Sequence, residues 1–236
     1  MESGFFKPRC EPPPLHFSPA KSMSNIISFI GLRSGVGNSA LVRTFAVEAA
    51  ASLECLVVDF DTSPTSTYEW TLRRDQRGLK PSIPVERQAT ADLSAQRRGV
   101  ELIMVDASNC SDQQAMDLAR ISRVVVMSST TEEADLALVI RAARVFSDAG
   151  LGHRIVVALC RVQFHRDVAA AREMLAANGL KVLAGEIRAD MASYPQLEHG
   201  GRALCESRAQ LLSEGASVVV DAIQKAFVDG IEETFP

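Results

Sequence analysis

The 236-residue chain has only five lysines and a single tryptophan, and no apolar run in it approaches the ~18 residues of a membrane span. No signal-peptide core follows the first methionine, so the expected location is the cytoplasm, with no stable membrane insertion. The five cysteines (Cys10, Cys55, Cys110, Cys160, Cys205) form no CxxC pair, and the four histidines (His16, His153, His165, His199) form no ligand cluster. That spacing excludes a zinc ribbon or a dithiol redox centre and leaves ordinary buried or surface thiols. Net charge is −4, which argues against a globally basic nucleic-acid binder but leaves room for charge gathered on one face. Twenty arginines stand against the five lysines. Arginine suits bidentate phosphate contact, and a genome-wide codon preference explains the bias equally well.

What is present is the composition of one α/β domain: 47% hydrophobic and 23% charged residues. Residues 1–24 carry five prolines and no period, which predicts a disordered leader, spurious extension or partner-binding tail, with Met23 an alternative start. Residues 25–236 are the expected domain. Ile26–Ile30 is predicted as a strand, Ser39–Ser52 as an alanine-rich helix with Leu41, Val42, Phe45, Ala46 and Ala49 on one stripe, and Leu56–Asp59 as a second strand. A short helix follows Asp61, then an edge strand near Ile83–Val85, where Pro81 and Pro84 forbid a central position. Arg73, Arg74, Arg77 and Lys80 read as a solvated surface or a contact surface for an acidic partner or DNA. Val100–Asp106 and Val124–Met127 are further strands, with a helix over 111–120 between them. A long helix over Glu132–Asp148 places Ala134, Leu138, Ala142, Val145 and Phe146 on one stripe. Ile155–Leu159, a helix over Asp167–Ala177, and Lys181–Ala184 come next. A closing helix from Ala209 to Val228 lines up Leu212, Ala216, Val219, Ile223 and Phe227. Alternating strands and helices predict a mostly parallel, doubly wound sheet with helices on both faces.

The chemistry concentrates between Ile26 and Asp61. A strand, a glycine-bearing loop and a helix follow in order, and such a loop presents unpaired helix N–H groups to phosphate. The aspartates Asp59, Asp61 and Asp106 fall at strand ends, on the side of the sheet where ligands bind. With the Ser39 hydroxyl they make an oxygen-rich set suited to a Mg²⁺-nucleotide. For Asp59, Asp61 and Asp106 a strand-end or capping role is the alternative, and Gly35 and Gly37 would serve any tight strand-to-helix turn.

The order LRSGVGNSA, LVVDFD, Trp70 about nine residues on, and ELIMVD resembles the ParA/MinD group of deviant Walker A ATPases, in particular its small plasmid-partition members. The resemblance covers about residues 26–230, including Tyr194–Glu206 before the last helix. In that family the loop reads KGGxGK[ST]T. The resemblance implies a P-loop fold, ATP and Mg²⁺ as cofactors, and a nucleotide-sandwich homodimer on nonspecific DNA, served by a centromere-binding or adaptor protein and nucleoid-associated.

It implies that Arg33 stands at the signature-lysine position and reaches a partner's phosphates. Ser34, Gly35, Val36 and Gly37 form the loop, Asn38 replaces the invariant lysine, Ser39 is the magnesium ligand and Ala40 replaces a threonine. Asp61 would orient the attacking water, with Asp59 and Asp106 around the metal. Arg141, Arg144, Arg161, Arg166, Arg172 and Arg188 are the candidate DNA contacts, or ordinary solvated faces. Losing the lysine at position 38 removes a charged hydrogen bond of about 1.5–3 kcal/mol, which predicts triphosphate binding weaker by roughly 10- to 100-fold. Hydrolysis suffers more, since neutralising charge on the transferring phosphoryl group is most of what such sites do.

Two other readings compete. One is a non-hydrolysing scaffold acting through protein partners. The other is an NAD(P)-dependent oxidoreductase, because Gly35–Ala40 also satisfies GxGxxA with Asp59 about twenty residues on. Against the latter, four residues separate Ile30 from Gly35, and Asp61 would have no task. The nitrogenase-reductase branch would need cluster-ligating cysteines, and none is suitably placed.

Overall fold

The computed structural model describes residues 25–61, 63–87, 99–108, 110–190 and 192–231; the leader expected over 1–24 lies outside them. Seven strands form one all-parallel sheet: β1 (Ile26–Gly31), β2 (Cys55–Asp59), β3 (Val85–Arg87), β4 (Leu102–Ser108), β5 (Val124–Ser129), β6 (Ile155–Leu159) and β7 (Lys181–Val182). Their order is β3-β2-β4-β1-β5-β6-β7. The chain winds out to one edge, returns beside β1, then crosses to the other side. The carboxyl end of β1 therefore sits where the winding reverses, which is where doubly wound sheets bind ligands.

Successive strand residues point to opposite faces, and both faces are covered. Ile27, Phe29, Val57, Met104 and Val126 pack with α1 (Asn38–Ala49) and the closing helix α7 (Gln210–Val228). Ile26, Ile30, Val58, Val105 and Met127 pack with α3 (Asp112–Ile121), α4 (Glu133–Asp148) and α5 (Arg166–Ala177). The apolar stripes predicted on α1 and α7 are all buried. The edge position of the proline-flanked strand also holds.

Three local expectations are corrected. β4 runs two residues past Asp106, because β1 continues the ladder there, pairing Ile30 with Ala107 and Gly31 with Ser108, while β2 ends at Asp59 opposite Asp106. On α4 the buried stripe is Leu136, Val139, Ile140, Ala143 and Phe146, and Val145 is 55% exposed. The helix is turned so that Asp135 points inward to meet the loop after β1. Arg74, expected at a solvated or partner-binding surface, is fully buried in α2 (Thr67–Gln76), bound to both carboxylate oxygens of Glu206 and to the carbonyls of Lys80, Pro81 and Gly201. A further helix, α6 (Ser193–Gly200), packs on α2.

Candidate nucleotide site at the β1–α1 loop

The loop leaves β1 at Gly31 and enters α1 through Gly37, whose φ of 96° is a left-handed conformation suited to glycine. Gly35 is also left-handed at φ 82°. A side chain at Gly37 would also collide with the next layer: an added Cβ would lie 3.1 Å from Cys160 Cβ and 3.2 Å from Arg161 Cγ. Gly37 caps α1 without any side-chain acceptor, so the first-turn N–H groups of that helix face the loop's own concavity.

Asn38 occupies the first helical position and is buried. Its amide nitrogen donates to Phe29 O at 3.1 Å, Asp106 Oδ1 at 3.0 Å and Ser108 Oγ at 3.1 Å, and its oxygen accepts from Ser128 Oγ at 2.9 Å. The side chain is thus turned under the loop into the ends of β1, β4 and β5. Gly31 makes room for it, since a Cβ there would stand 3.0 Å from Asn38 Cβ.

Asp106, wholly buried, accepts from Asn38, from the Ser108 hydroxyl at 2.8 Å, and on its other oxygen from Thr67 Oγ1 at 2.7 Å. Asp59 accepts from the backbone N–H of Asp61 at 2.9 Å and of Tyr68 at 2.7 Å, so it caps the start of α2. Burial, and next the neighbouring Asp106, push its carboxyl up to about 6. Asp61 is tied into its own turn by the Ser63 N–H and hydroxyl. Ser39 shares a hydrogen bond of 3.1 Å with Ser108.

The buried cation of this region is Arg43, one and a half turns along α1 from Asn38. Its guanidinium donates to Thr67 Oγ1 and to Thr65 O, faces Glu198, and lies 5.7 Å from the Trp70 ring. Desolvation lowers its pKa, and Asp106, Glu198 and Asp59 oppose that fall. Arg43, Thr67, Asp106, Asn38 and Ser128 therefore form one continuous polar chain beneath the loop. Arg33, half exposed, is held in cis by Asp135 at 2.7 Å and Glu132 at 3.4 Å. Asp135 itself is buried, and Thr130 also donates to it.

The sequence-predicted site residues thus gather at one place: the loop 33–40, Asp59, Asp61 and Asp106 share the carboxyl edge of the sheet. The candidate DNA contacts do not behave alike. Arg141 is exposed on α4, Arg144 donates to Asn178 Oδ1, and Arg166 is exposed with its guanidinium over the Phe164 ring. Arg172 is clasped by the carbonyls of Leu183 and Gly185, and Arg188 lies half-buried at a bridge to Val162. Arg161 belongs to the loop rather than to an outer surface: its Nη1 donates to Gly35 O at 3.0 Å. Arg43, Thr67, Ser108, Ser128 and Asp135 escaped sequence reasoning. Arg43 stands off the Leu41–Ala49 apolar stripe of α1, so neither it nor the others left a signal in the sequence.

The glycines and bare helix end suit phosphate, and the Ser39 hydroxyl with the two adjacent carboxylates supplies the oxygen donors of a hard cation. Burial first, and Asp106 next, disfavour the ionised Asp59 carboxyl, and a cation beside the two acids would favour it. Among the described residues no group of three or more His, Cys, Asp or Glu is arranged to hold a metal, so magnesium here would arrive with phosphate oxygens as further ligands.

These features place a glycine-bearing strand–loop–helix turn and neighbouring carboxylates together at the carboxyl edge of a parallel sheet. No protein-family model and no curated protein matches the chain. Solved structures do. A protein assigned to plasmid partition in Borrelia burgdorferi, bound to AMPPNP, superposes with a TM-score of 0.69 at 12% identity over 86% of this chain and 99% of that one. The MinC:MinD cell division complex of Aquifex aeolicus gives 0.65 at 10% identity over 85% and 95%. The septum site-determining protein MinD of Pyrococcus horikoshii, complexed with Mg-ADP, gives 0.64 at 14% identity over 86% and 97%. The chain has the ParA/MinD-type fold. No helix among the described residues is long and apolar enough to cross a membrane.

Proposed function

We propose that this chain is a ParA-like partition or positioning protein of the cytoplasm that binds ATP with Mg²⁺ through the β1–α1 loop, does not hydrolyse it appreciably, and dimerises on nonspecific DNA under the control of a centromere-binding or adaptor protein. The observation that carries this reading is the inward-turned Asn38 amide, which keeps a formed phosphate loop while removing its charge. Residues 34–37 and the α1 N-terminus would receive the phosphates, and Ser39, Asp106 and Asp59 would hold magnesium. The metal would neutralise phosphate charge. Asp61, the candidate for orienting water, already has both oxygens engaged by Ser63. Arg33 would have to leave the buried Asp135 before reaching a second subunit, so its cis ion pair opposes dimerisation by that route. The outer surface for DNA reduces to Arg141, Arg144 and Arg166.

Arg43 favours a second reading, the non-hydrolysing scaffold, because a cation built into the fold already balances Asp106 and Asp59. Calorimetry with ATP and Mg²⁺, paired with phosphate-release measurements, separates the two. The expected result is measurable binding, strengthened by 10- to 100-fold in Asn38→Lys, with phosphate release at background. Heat absent from the wild type but clear in Asn38→Lys establishes the scaffold. Turnover that disappears in Asp61→Ala overturns the non-hydrolysing assignment. Salt-sensitive retention on random duplex DNA, weakened by Arg141→Ala with Arg166→Ala, tests the DNA surface.

A further inference from the structure

Asn38 carries no charge, Arg33 is paired with two acids, and Arg43 lies beneath the sheet end. A polyphosphate seated on the α1 N-terminus would still need a cation beside it, and the fold brings one from 126 residues away. Arg161 stands two residues past the end of β6, two strands from β1. Among the described residues it is the one non-glycine with positive φ, at 51°. Such a backbone is disfavoured for a residue with a side chain and persists where surrounding structure imposes it, commonly at ligand clamps. Here it throws the side chain back across the loop. The aliphatic stem passes over Gly37, whose missing Cβ would sit 3.2 Å from Arg161 Cγ and 3.7 Å from its Cδ. The guanidinium then hydrogen-bonds Gly35 O and stacks over the Tyr194 ring of α6 at 5.1 Å. Tyr194 is itself buried enough that its phenol is pushed well above the usual range.

We infer that Arg161 is the cation of the phosphate loop, supplying from the β6–α5 connection the positive charge that position 38 lacks and fixing the loop's shape through Gly35. The assignment rests on the nucleotide reading above. A guanidinium carries a permanent charge on a planar fork of five N–H donors, so the group that holds the Gly35 carbonyl also brings positive charge to the loop. Gly37 has a second purpose in this arrangement: besides turning the chain into α1, it lets the arginine lie flat against the loop. Stacking on Tyr194 connects α6 to the same point, so an anion on the loop and the packing of residues 192–201 share one side chain.

The test is calorimetric titration of inorganic triphosphate, and separately of ATP with Mg²⁺, into the full chain and into Arg161→Gly, Arg161→Lys and the double variant Asn38→Lys/Arg161→Gly. Glycine relieves the φ of 51°, so that variant is expected to keep or raise its melting temperature while both ligands bind tenfold or more weakly. Its remaining affinity should also fall less steeply with ionic strength, which a purely structural role would not produce. Arg161→Lys should stay within about threefold of wild type, because the charge returns, and the double variant should recover binding, because the cation returns from position 38. Wild-type binding that Arg161→Gly leaves unchanged overturns the assignment while the nucleotide reading stands. A wild type that binds neither ligand overturns both.

Discussion

Asp59 makes the charge balance of the site measurable through pH. Its carboxyl, ordinarily near 3.8, is held at about 6, first by burial and then by Asp106 across the β2–β4 ladder, while the N–H groups of Tyr68 and Asp61 oppose the rise. Between those two values the folded chain keeps a proton that the unfolded chain has lost, so stability falls as pH rises through the window from about 4 to 6. A gap of this size corresponds to about 3 kcal/mol once the group is fully ionised, and a side chain that is 1% exposed has little solvent to screen it. The perturbation is Asp59→Asn, compared with wild type in urea unfolding from pH 4 to 7.5 and followed by the fluorescence of the single, fully buried Trp70. Asparagine can accept only one of the two backbone N–H bonds, so the variant starts at a deficit of about 1–3 kcal/mol at low pH. That deficit should shrink by about 3 kcal/mol between pH 4 and pH 7.5, because only the wild type pays for ionising a buried acid. A difference between the two proteins that stays constant to within about 1 kcal/mol, or grows with pH, refutes the reasoning. Magnesium with ATP should lower the pH at which the wild-type slope appears, since a cation at the acid pair favours the ionised form.

Arg43→Met keeps length and apolar stem but leaves Asp59 and Asp106 without their buried counter-cation and Thr65 O without its donor. It should destabilise the chain by about 3–5 kcal/mol at pH 7.5 and by less at pH 5, where Asp59 holds its proton; urea midpoints at the two pH values check this. Gly201→Ala would place a Cβ 2.6 Å from Arg74 N and 2.7 Å from Arg74 Cα at a φ of 65°, so α2 must shift. A loss of about 2 kcal/mol or more is expected, with a change in Trp70 emission because its indole N–H donates to Arg202 O. Gly78→Ala, at nearly the same φ but with open space around it, should lose only about 1 kcal/mol.

Much of the architecture was legible because it is written locally. The apolar runs LVV and VVV need two covered faces, and the periodic stripes of α1 and α7 pointed to their buried sides correctly. The α4 stripe was misread for an instructive reason. Ala134, Leu138, Ala142, Val145 and Phe146 make as good a helical pattern as the true stripe one position away, and an aspartate at the core edge looks like a violation until Arg33 and Thr130 are seen to meet it. Arg74 failed in the same way. An arginine among RRDQR reads as solvated surface, yet the nearby carbonyls of Lys80 and Pro81, with Gly201 O and Glu206 from 127 and 132 residues away, satisfy its guanidinium completely enough to bury it.

For the site, the sequence by itself determined its place: a glycine-bearing turn between a buried strand and a helix, with aspartates at the ends of neighbouring strands, can only meet at the carboxyl edge of a parallel sheet. Periodicity and turn chemistry act over a few residues, so they survive in the linear string. What only the tertiary structure decided is how each polar group there is employed. Asn38 faces Asp106 from 68 residues away and Ser128 from 90, Arg33 meets Asp135 across 102, and Arg161 reaches Gly35 across 126. Hydrogen bonds and ion pairs depend on ångström-scale placement of side chains that no local pattern specifies. In this chain those long-range pairings decide which charged and polar groups surround the β1–α1 loop.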